Sequence, residues 1–509
     1  MKPRRSHPPL EDSPVITVYD TLSRTTKKLE PQGDSQFKMF VCGPTVYDYA
    51  HLGHGKNYTQ FDFIAKYLRF RGFNVYYLQN ITDIEDKIIA RAKRDNVSAK
   101  DLAEQFERSY LEDMDALRNN AVTKYARATD YIEPVVNQVQ RLVDRGFAYK
   151  TSDGFYFDIS RFPSYGALSG RSGLDQENTV SRIEINPEKR NAGDFVLWKF
   201  RKPEEPFWPS ILGEGRPGWH IEDTAITEHH FGPQYDLHGG GIDLIFPHHE
   251  AEIAQIETAS GISPMVRFWL HGGFLNINAG KMSKSEANFI TIRDALQQTS
   301  SAALRYWFIS QHYRSAIELT DDWPAQAEGG LARMNNFVRS IDPTYDDVQN
   351  EKTIENVRRN VIDSLDNDFD TPGAFASIYE FIKGQYRSGK PGRFVMAFMK
   401  ELNGLFDFIE IDQKRLLSVN GCSSQTQVES DRRRTSTIER DAVDQAKLTI
   451  SEDKILRLID ERQKLRAARS FEAADNIRLE LSSEGIVLED TPSGVKWSRR
   501  SSHGRSPSP

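Results

Sequence analysis

Cys42, His51 and His54 stand close together in the stretch Val41-Cys42-Gly43-Pro44-Thr45-Val46-Tyr47-Asp48-Tyr49-Ala50-His51-Leu52-Gly53-His54-Gly55. A thiol is a nucleophile or a metal ligand once deprotonated. Imidazoles move protons or donate to phosphate oxygens. The stretch leaves an apolar run, Lys38-Met39-Phe40-Val41-Cys42, that reads as a short buried strand. It passes a Gly-Pro turn and enters a helical pattern, and the N–H groups and dipole at such a helix start make an anion site. The residues themselves leave thiol chemistry and phosphate chemistry both open.

Two further groups carry chemistry. His248 and Glu252 are four apart at a predicted helix start, so they share one face, as paired metal ligands do. Taken alone, the spacing is better read as an ion pair within that helix. Cys42 at a strand end would reach them in a parallel sheet, where ligand sites form at strand carboxyl ends. A Cys/His/Glu set with one position left over suits zinc in its catalytic form. The second group is Lys281-Met282-Ser283-Lys284-Ser285 in a polar loop. Its cations and hydroxyls suit a triphosphate, where they would stabilise the charge that develops as pyrophosphate leaves.

The elements that must position these residues follow from periodicity. After His54, Phe61, Phe63-Ile64, Tyr67-Leu68 and Phe70 recur at helical spacing until Arg71-Gly72. Phe73 to Leu78 is β-rich, and a second helix runs through Ile84, Ile88-Ile89 and Ala92. Strand, helix, strand, helix begins a doubly wound parallel sheet of the α/β class. Val15 to Leu22 alternates as an edge strand does, and helical periodicity runs from about Ala99 to Arg145. Phe147 to Trp219 carries short aromatic runs among Gly, Pro and Asn, which predicts an inserted module. The α/β pattern resumes at Tyr235, with Gly239-Gly240-Gly241, a run from Ile242 to Phe246, a helix from His248 to Ala259 and a strand at Arg267 to His271. Gly280 to Asn288 reads as loop, Ile292 to about Ile341 as helix, and Thr353 to Ile409 as further helices. Two short helices, Glu452–Ala468 and Phe471–Glu484, and a hairpin from Ile486 to Trp497 close the pattern.

Composition bounds the rest. At 509 residues the chain holds several domains, and a net charge of −7 argues against a whole-surface basic field. Two distant cysteines, Cys42 and Cys422, imply no disulfide framework and fit a reducing compartment. The first 14 residues are basic and proline-rich without the apolar core of a secretory signal, and no run approaches the roughly 18 apolar residues of a membrane span. The expected organisation is an N-terminal extension at 1–14, core halves at 15–120 and 219–300 around an insertion at 121–218, and a helical region at 301–420. A polar linker at 421–447, a small domain at 448–497 and a disordered tail at 498–509 complete it.

His51-Leu52-Gly53-His54 followed by Lys281-Met282-Ser283-Lys284-Ser285 resembles the paired signature of class I aminoacyl-tRNA synthetases. Within that class the chain resembles the cysteinyl-tRNA synthetases from about Val15 to Trp497. The resemblance rests on Cys42-Gly-Pro-Thr-Val-Tyr-Asp, Asn80-Ile-Thr-Asp, Gly215-Arg-Pro-Gly-Trp-His-Ile-Glu, His238-Gly-Gly-Gly-Ile-Asp and Phe246-Pro-His-His-Glu. Phe471-Glu-Ala-Ala-Asp and Gly485-Ile-Val-Leu-Glu-Asp are similar to the family's anticodon-binding domain.

The resemblance implies a Rossmann-type doubly wound sheet with an inserted connective module, helical bundle domains and a small C-terminal α+β anticodon-binding domain. It implies ATP with Mg2+, L-cysteine and tRNA(Cys) as substrates, cysteinyl-adenylate as intermediate, and a monomeric cytoplasmic enzyme with no membrane association. His51, His54, Lys281 and Lys284 are then catalytic, and Gly239, Gly240, Gly241 and Asp243 join them at ATP. Cys42, Trp219, His220 and His238 line the amino-acid pocket. One zinc ion per subunit is held by Cys42, His248 and Glu252, with the fourth ligand at Asp223. Family members carry cysteine at that fourth position, and a glycine where Glu286-Ala287 precede Asn288-Phe289 here. Arg466 and Arg469, with Trp497 as a stacking partner, would contact tRNA. A cysteine-activating ligase for an amino sugar and a non-catalytic RNA- or cysteine-binding paralogue are the alternatives. The segment from Phe471 to Trp497 argues against the first, and the intact phosphate motifs argue against the second.

Overall fold

The computed structural model describes residues 15–31, 33, 36–171, 186–277, 280–281, 289–388 and 390–411. Beyond these it describes 458–459, 477, 481, 486–491 and 494–499. The chain divides into two compact units, Met1–Ser424 and Gln425–Pro509.

The first unit is organised by a five-stranded parallel sheet. Its order is Val266–Gly272, Tyr235–Gly241, Phe37–Val41, Val75–Ile81, Lys124–Arg127. From the central Phe37–Val41 strand the chain winds outward to Val75–Ile81 and Lys124–Arg127, then returns to build the other half. The winding direction therefore reverses between Phe37–Val41 and Tyr235–Gly241. Carboxyl ends of strands at such a reversal leave a crevice, because the connections depart to opposite sides. Cys42 and Gly239 meet there, with Cys42 N–H donating to Gly239 O at 3.1 Å.

Both faces of the sheet are covered, as a parallel sheet requires. Side chains alternate along a strand, so Met39 and Val41 join the core that includes Phe61, Phe63 and Ile64 of the Leu52–Phe70 helix. Phe40 and Cys42 point the other way, into a core with Ile226, Ile253 and Ile256. Those residues belong to the helices Ile221–Phe231 and Glu250–Ser260. One strand end thus hands a thiol to one side of the sheet and leads a turn to the helix on the other.

Several expectations need correction. The long helical stretch at 99–145 is broken: the Ala99–Ala116 helix ends and Lys124–Arg127 forms the sheet edge before the Ile132–Asp144 helix. The stretch after Ile292 is likewise interrupted, by the strand Ile317–Leu319 between Ser301–Ile309 and Trp323–Ser340. Gly280–Lys281, read as loop, pairs antiparallel with Leu275–Ile277. His248 does not open an α-helix but lies in a wide turn, Ile245–His249, that precedes Glu250–Ser260.

In chain order, between the strands of the two halves, comes a four-stranded antiparallel sheet of Ala148–Lys150, Gly154–Phe157, Phe195–Phe200 and Gly215–Pro217. Lys199 and Arg216 of this sheet both bind Asp86 of the core, each at 2.5 Å. Four helices, Trp323–Ser340, Glu351–Asp366, Thr371–Ser388 and Arg393–Phe406, follow the core. In the second unit Ile486–Thr491 and Gly494–Arg499 form an antiparallel hairpin. Most of the two helices expected at 452–484 lies outside the described residues.

Candidate active site and metal centre

Cys42, Asp223, His248 and Glu252 converge although they come from three separate places in the chain, each offering an atom within 4.8 Å of the others. All four side chains are buried. Cys42 Sγ lies 3.4 Å from Asp223 Oδ2, and His248 Nε2 lies 3.0 Å from the same oxygen. Glu252 Oε1 is 3.9 Å from His248 Nε2. His220 Nδ1 is 2.9 Å from His248 Nδ1, so the His220 ring holds the His248 ring with its Nε2 toward Asp223. A ligand imidazole is oriented in this way, through its other nitrogen.

A second set overlaps the first. His238 Nε2 and His249 Nε2 stand 3.3 and 3.1 Å from Cys42 Sγ, and with Glu252 they also form a group able to hold a metal ion. The Nδ1 atoms of these rings are engaged behind them, by the Tyr235 hydroxyl and by His271 Nε2. Burial holds both imidazoles well below the usual histidine range, and the neighbouring imidazoles of His271 and His248 add to it. His271 is held down to about 3 by burial. His249 and His271 escaped the sequence reading, because His249 was passed over for its neighbour His248. His249 nevertheless lies three residues before Glu252, a spacing that also shares a helix face.

The electrostatics of the cluster call for a cation. Burial, then the charges of Glu252 and Asp223, push the Cys42 thiol well up. Burial and then Asp223 push the Glu252 carboxyl well up. Both oxygens of Glu252 and Oδ1 of Asp223 are buried without a hydrogen-bond partner among the described residues. Buried polar atoms without partners cost free energy, and a metal dication reverses that cost by binding the anionic forms. One thiolate, one imidazole and two carboxylates are all zinc donors.

The other half of the site is the start of the Leu52–Phe70 helix. His51 is the N-cap and His54 the third helical residue, and each ring's Nδ1 accepts the other's backbone N–H at 3.3 Å. The rings stack 3.8 Å apart. Gly53 makes this stacking feasible, since a Cβ there would come 2.9 Å from His51 Cε1. With Nδ1 accepting, the proton of each neutral ring sits on Nε2.

Gly239, Gly240 and Gly241 end the Tyr235–Gly241 strand at the crevice, and Asp243 follows on an exposed turn. Trp219 is 36% exposed and stacks on His248 with ring centres 4.5 Å apart. His220 and His238 are buried. Lys281 is described by its backbone only, paired with Asn276. Lys284, Arg466 and Arg469 lie outside the described residues, and Trp497 is described only as the pairing partner of Leu488.

Residues 28–328 match the family model of the class I (C) tRNA synthetase catalytic domain. A cysteine--tRNA ligase of Thermoplasma acidophilum is 40% identical over 95% of this chain and 100% of its own length. Those of Thermococcus onnurineus and Clostridioides difficile are 38% and 37% identical over 95% of this chain, covering 99% and 100% of theirs. The chain belongs to the cysteine--tRNA ligase family. It is a class I ligase in fold as well. A methionyl-tRNA synthetase of Mycobacterium tuberculosis in complex with methionyl-adenylate superposes with a TM-score of 0.55 at 15% identity, covering 76% of this chain and 97% of that one. The LeuRS of Agrobacterium radiobacter gives 0.54 at 11% identity, covering 78% and 86%. Among the described residues no helix is long and apolar enough to cross a membrane.

Proposed function

We propose that the chain activates L-cysteine with ATP and Mg2+ to cysteinyl-adenylate and transfers it to the 3'-terminal ribose of tRNA(Cys). The observation that carries this reading is the buried Cys42/Asp223/His248/Glu252 cluster at the same sheet reversal that leads to the His51/His54 helix start. Zinc held by these four residues would supply a soft Lewis acid that takes the thiolate of cysteine in preference to the hydroxyl of serine. Trp219 walls the entrance to that pocket beside His248, and His220 keeps the His248 ring turned inward.

ATP would lie along the opposite side of the crevice. The Nε2–H groups of His51 and His54, at a helix N-terminus, donate to phosphate oxygens as the cysteine carboxylate attacks the α-phosphate. Lys281 and Lys284 follow the charge onto the departing pyrophosphate. Gly239 to Gly241, whose missing side chains make way for Phe61, His249 and Asp243, would offer the nucleoside their backbone at the strand end, with Asp243 at its mouth. Arg466, Arg469 and Trp497 are assigned to the tRNA. The enzyme so proposed acts as a monomer in the cytoplasm, beside its tRNA.

Cysteine-dependent ATP–pyrophosphate exchange, followed by charging of tRNA(Cys), tests the reading. Exchange and charging are expected in the zinc-loaded protein. Absence of exchange overturns the activity, and exchange without charging moves the acceptor away from tRNA.

A further inference from the structure

Lys56 lies two residues beyond His54 in the Leu52–Phe70 helix and is 1% exposed. Its Nζ donates to the carbonyl oxygens of Gly273 at 2.7 Å and Tyr313 at 3.3 Å. No carboxylate pairs with it among the described residues, and burial pulls its ammonium down to about 7. An ammonium held by two neutral carbonyls is an expensive way to fill this space, since an aliphatic side chain would carry no desolvation cost. Its presence therefore asks for a role beyond packing.

The two carbonyls belong to the base of the lysine loop. Gly273 stands two residues ahead of the Leu275–Ile277 strand, which pairs with Gly280–Lys281 on one side and with Ile317–Leu319 on the other. Gly273 N–H donates to Tyr313 O at 2.8 Å. A Cβ at Gly273 would come 2.5 Å from the carbonyl oxygens of Arg314 and Ser315, so these backbones are pressed together. Lys56 closes this joint from the helix side.

The returning end of the loop is tied to the same helix by backbone alone. Leu52 N–H donates to Ile290 O at 2.9 Å, Ile292 N–H donates to Ala50 O at 3.0 Å, and His51 bridges Thr291. Both roots of the segment that carries Lys281 and Lys284 are thus fastened to the element that presents His51 and His54. The returning root uses main-chain hydrogen bonds, and at the outgoing root the Lys56 side chain supplies the hydrogen bonds to Gly273 and Tyr313.

We propose that Lys56 is a positioning residue for ATP, which holds the outgoing root of the lysine loop at a fixed spacing from the His51/His54 helix start. Lysine suits the task because its three donors on a flexible stem can serve carbonyls from two separate segments at once. Without it the hairpin keeps its pairing with Ile317–Leu319 and the buried Leu275, but loses the polar tie that sets its spacing from the helix start. A displacement of about 1 Å between catalytic elements costs up to about 100-fold in rate. Cysteine binding would be spared, because Cys42 faces the opposite side of the sheet.

The inference rests on the activation reading above, and the experiment separates the two. Exchange kinetics and calorimetric cysteine affinity are measured for the zinc-loaded wild type, Lys56→Met and Lys56→Gln. Lys56→Met is expected to lose 10- to 100-fold in kcat/KM for ATP with unchanged cysteine affinity, and Lys56→Gln, which keeps N–H donors at shorter reach, to lose less. Wild type without exchange overturns the activity itself. Active wild type with a folded Lys56→Met of normal ATP kinetics, or with equal losses for ATP and cysteine, overturns the role of Lys56. Failure of both variants to fold makes Lys56 a structural residue and overturns it too.

Discussion

Cys42 Sγ and Asp223 Oδ2 stand 3.4 Å apart across 181 residues of chain. The thiol leaves the central strand, and the carboxylate sits in the first turn of the Ile221–Phe231 helix packed on that face. This pairing makes the proposed metal centre a single-sulfur site. Asp223→Ala is expected to lower zinc content well below one ion per chain and to weaken cysteine binding at least tenfold. Asp223→Cys adds a second soft donor and should retain zinc at higher chelator concentration than wild type. Elemental analysis after dialysis against graded chelator, with calorimetry for cysteine, checks both. Full zinc occupancy in Asp223→Ala would remove Asp223 from the ligand set.

His51 and His54 hold each other by reciprocal caps, so replacing either has two consequences. Each alanine variant is expected to lose about 100- to 1000-fold in the exchange reaction, as for loss of one donor to a developing anion. Each also forfeits a helix cap, which costs about 1 kcal/mol. Asparagine at position 51 restores a capping side chain while lacking the imidazole Nε2. His51→Asn should therefore regain thermal stability without regaining rate. Recovery of both together would show that the ring acts only as a cap.

Parts of this arrangement were legible in the sequence for physical reasons. The apolar run from Lys38 to Cys42 reads as a short buried strand, and the structure forms Phe37–Val41 there and buries Cys42 with Phe40. The His248/Glu252 pairing followed from helical spacing, although the turn that carries His248 is wider than an α-turn. The edge strand Lys124–Arg127 was not legible, because only Ala126 is buried in it and charged ends mask the alternation. Such edges are commonly short and charged. Lys56 was hidden for a different reason. Glycine and asparagine flank it, so no apolar stripe marks its side of the helix as the buried one. Its carbonyl partners come from segments more than two hundred residues away.

Lys56 also predicts a pH dependence of stability. Its ammonium falls from 10.5 in the open chain to about 7 when folded. The unfolded chain then binds the extra proton between those values, so stability contributed at this position rises with pH. The cost of burying the charge is absent above about 10.5, grows as the pH falls, and is complete below about 7. Lys56→Met should consequently gain most relative to wild type near pH 6 and progressively less toward pH 10. Thermal unfolding of the pair across that range reads the difference. A constant difference would mean that Lys56 keeps an ordinary affinity for its proton in the folded state.

Arg466, Arg469 and Trp497, proposed to contact tRNA, would separate the two half-reactions. Every residue proposed for cysteine and ATP lies in the Met1–Ser424 unit, so activation is expected to need that unit alone, whereas charging would also need the Gln425–Pro509 unit if it reads the tRNA. Phosphate contacts act on all RNA alike and depend steeply on salt, while an aromatic ring stacks on a base and depends little on salt. The double variant Arg466→Ala/Arg469→Ala should raise KM for tRNA about tenfold or more and flatten the salt dependence of charging. Trp497→Ala should lower tRNA affinity by about 1–3 kcal/mol with the salt slope unchanged. Neither should alter pyrophosphate exchange. Charging kinetics at several salt concentrations, run beside exchange on the same preparations, distinguish these outcomes. A parallel fall in exchange would mean that the substitutions damage the catalytic unit and do not report on tRNA.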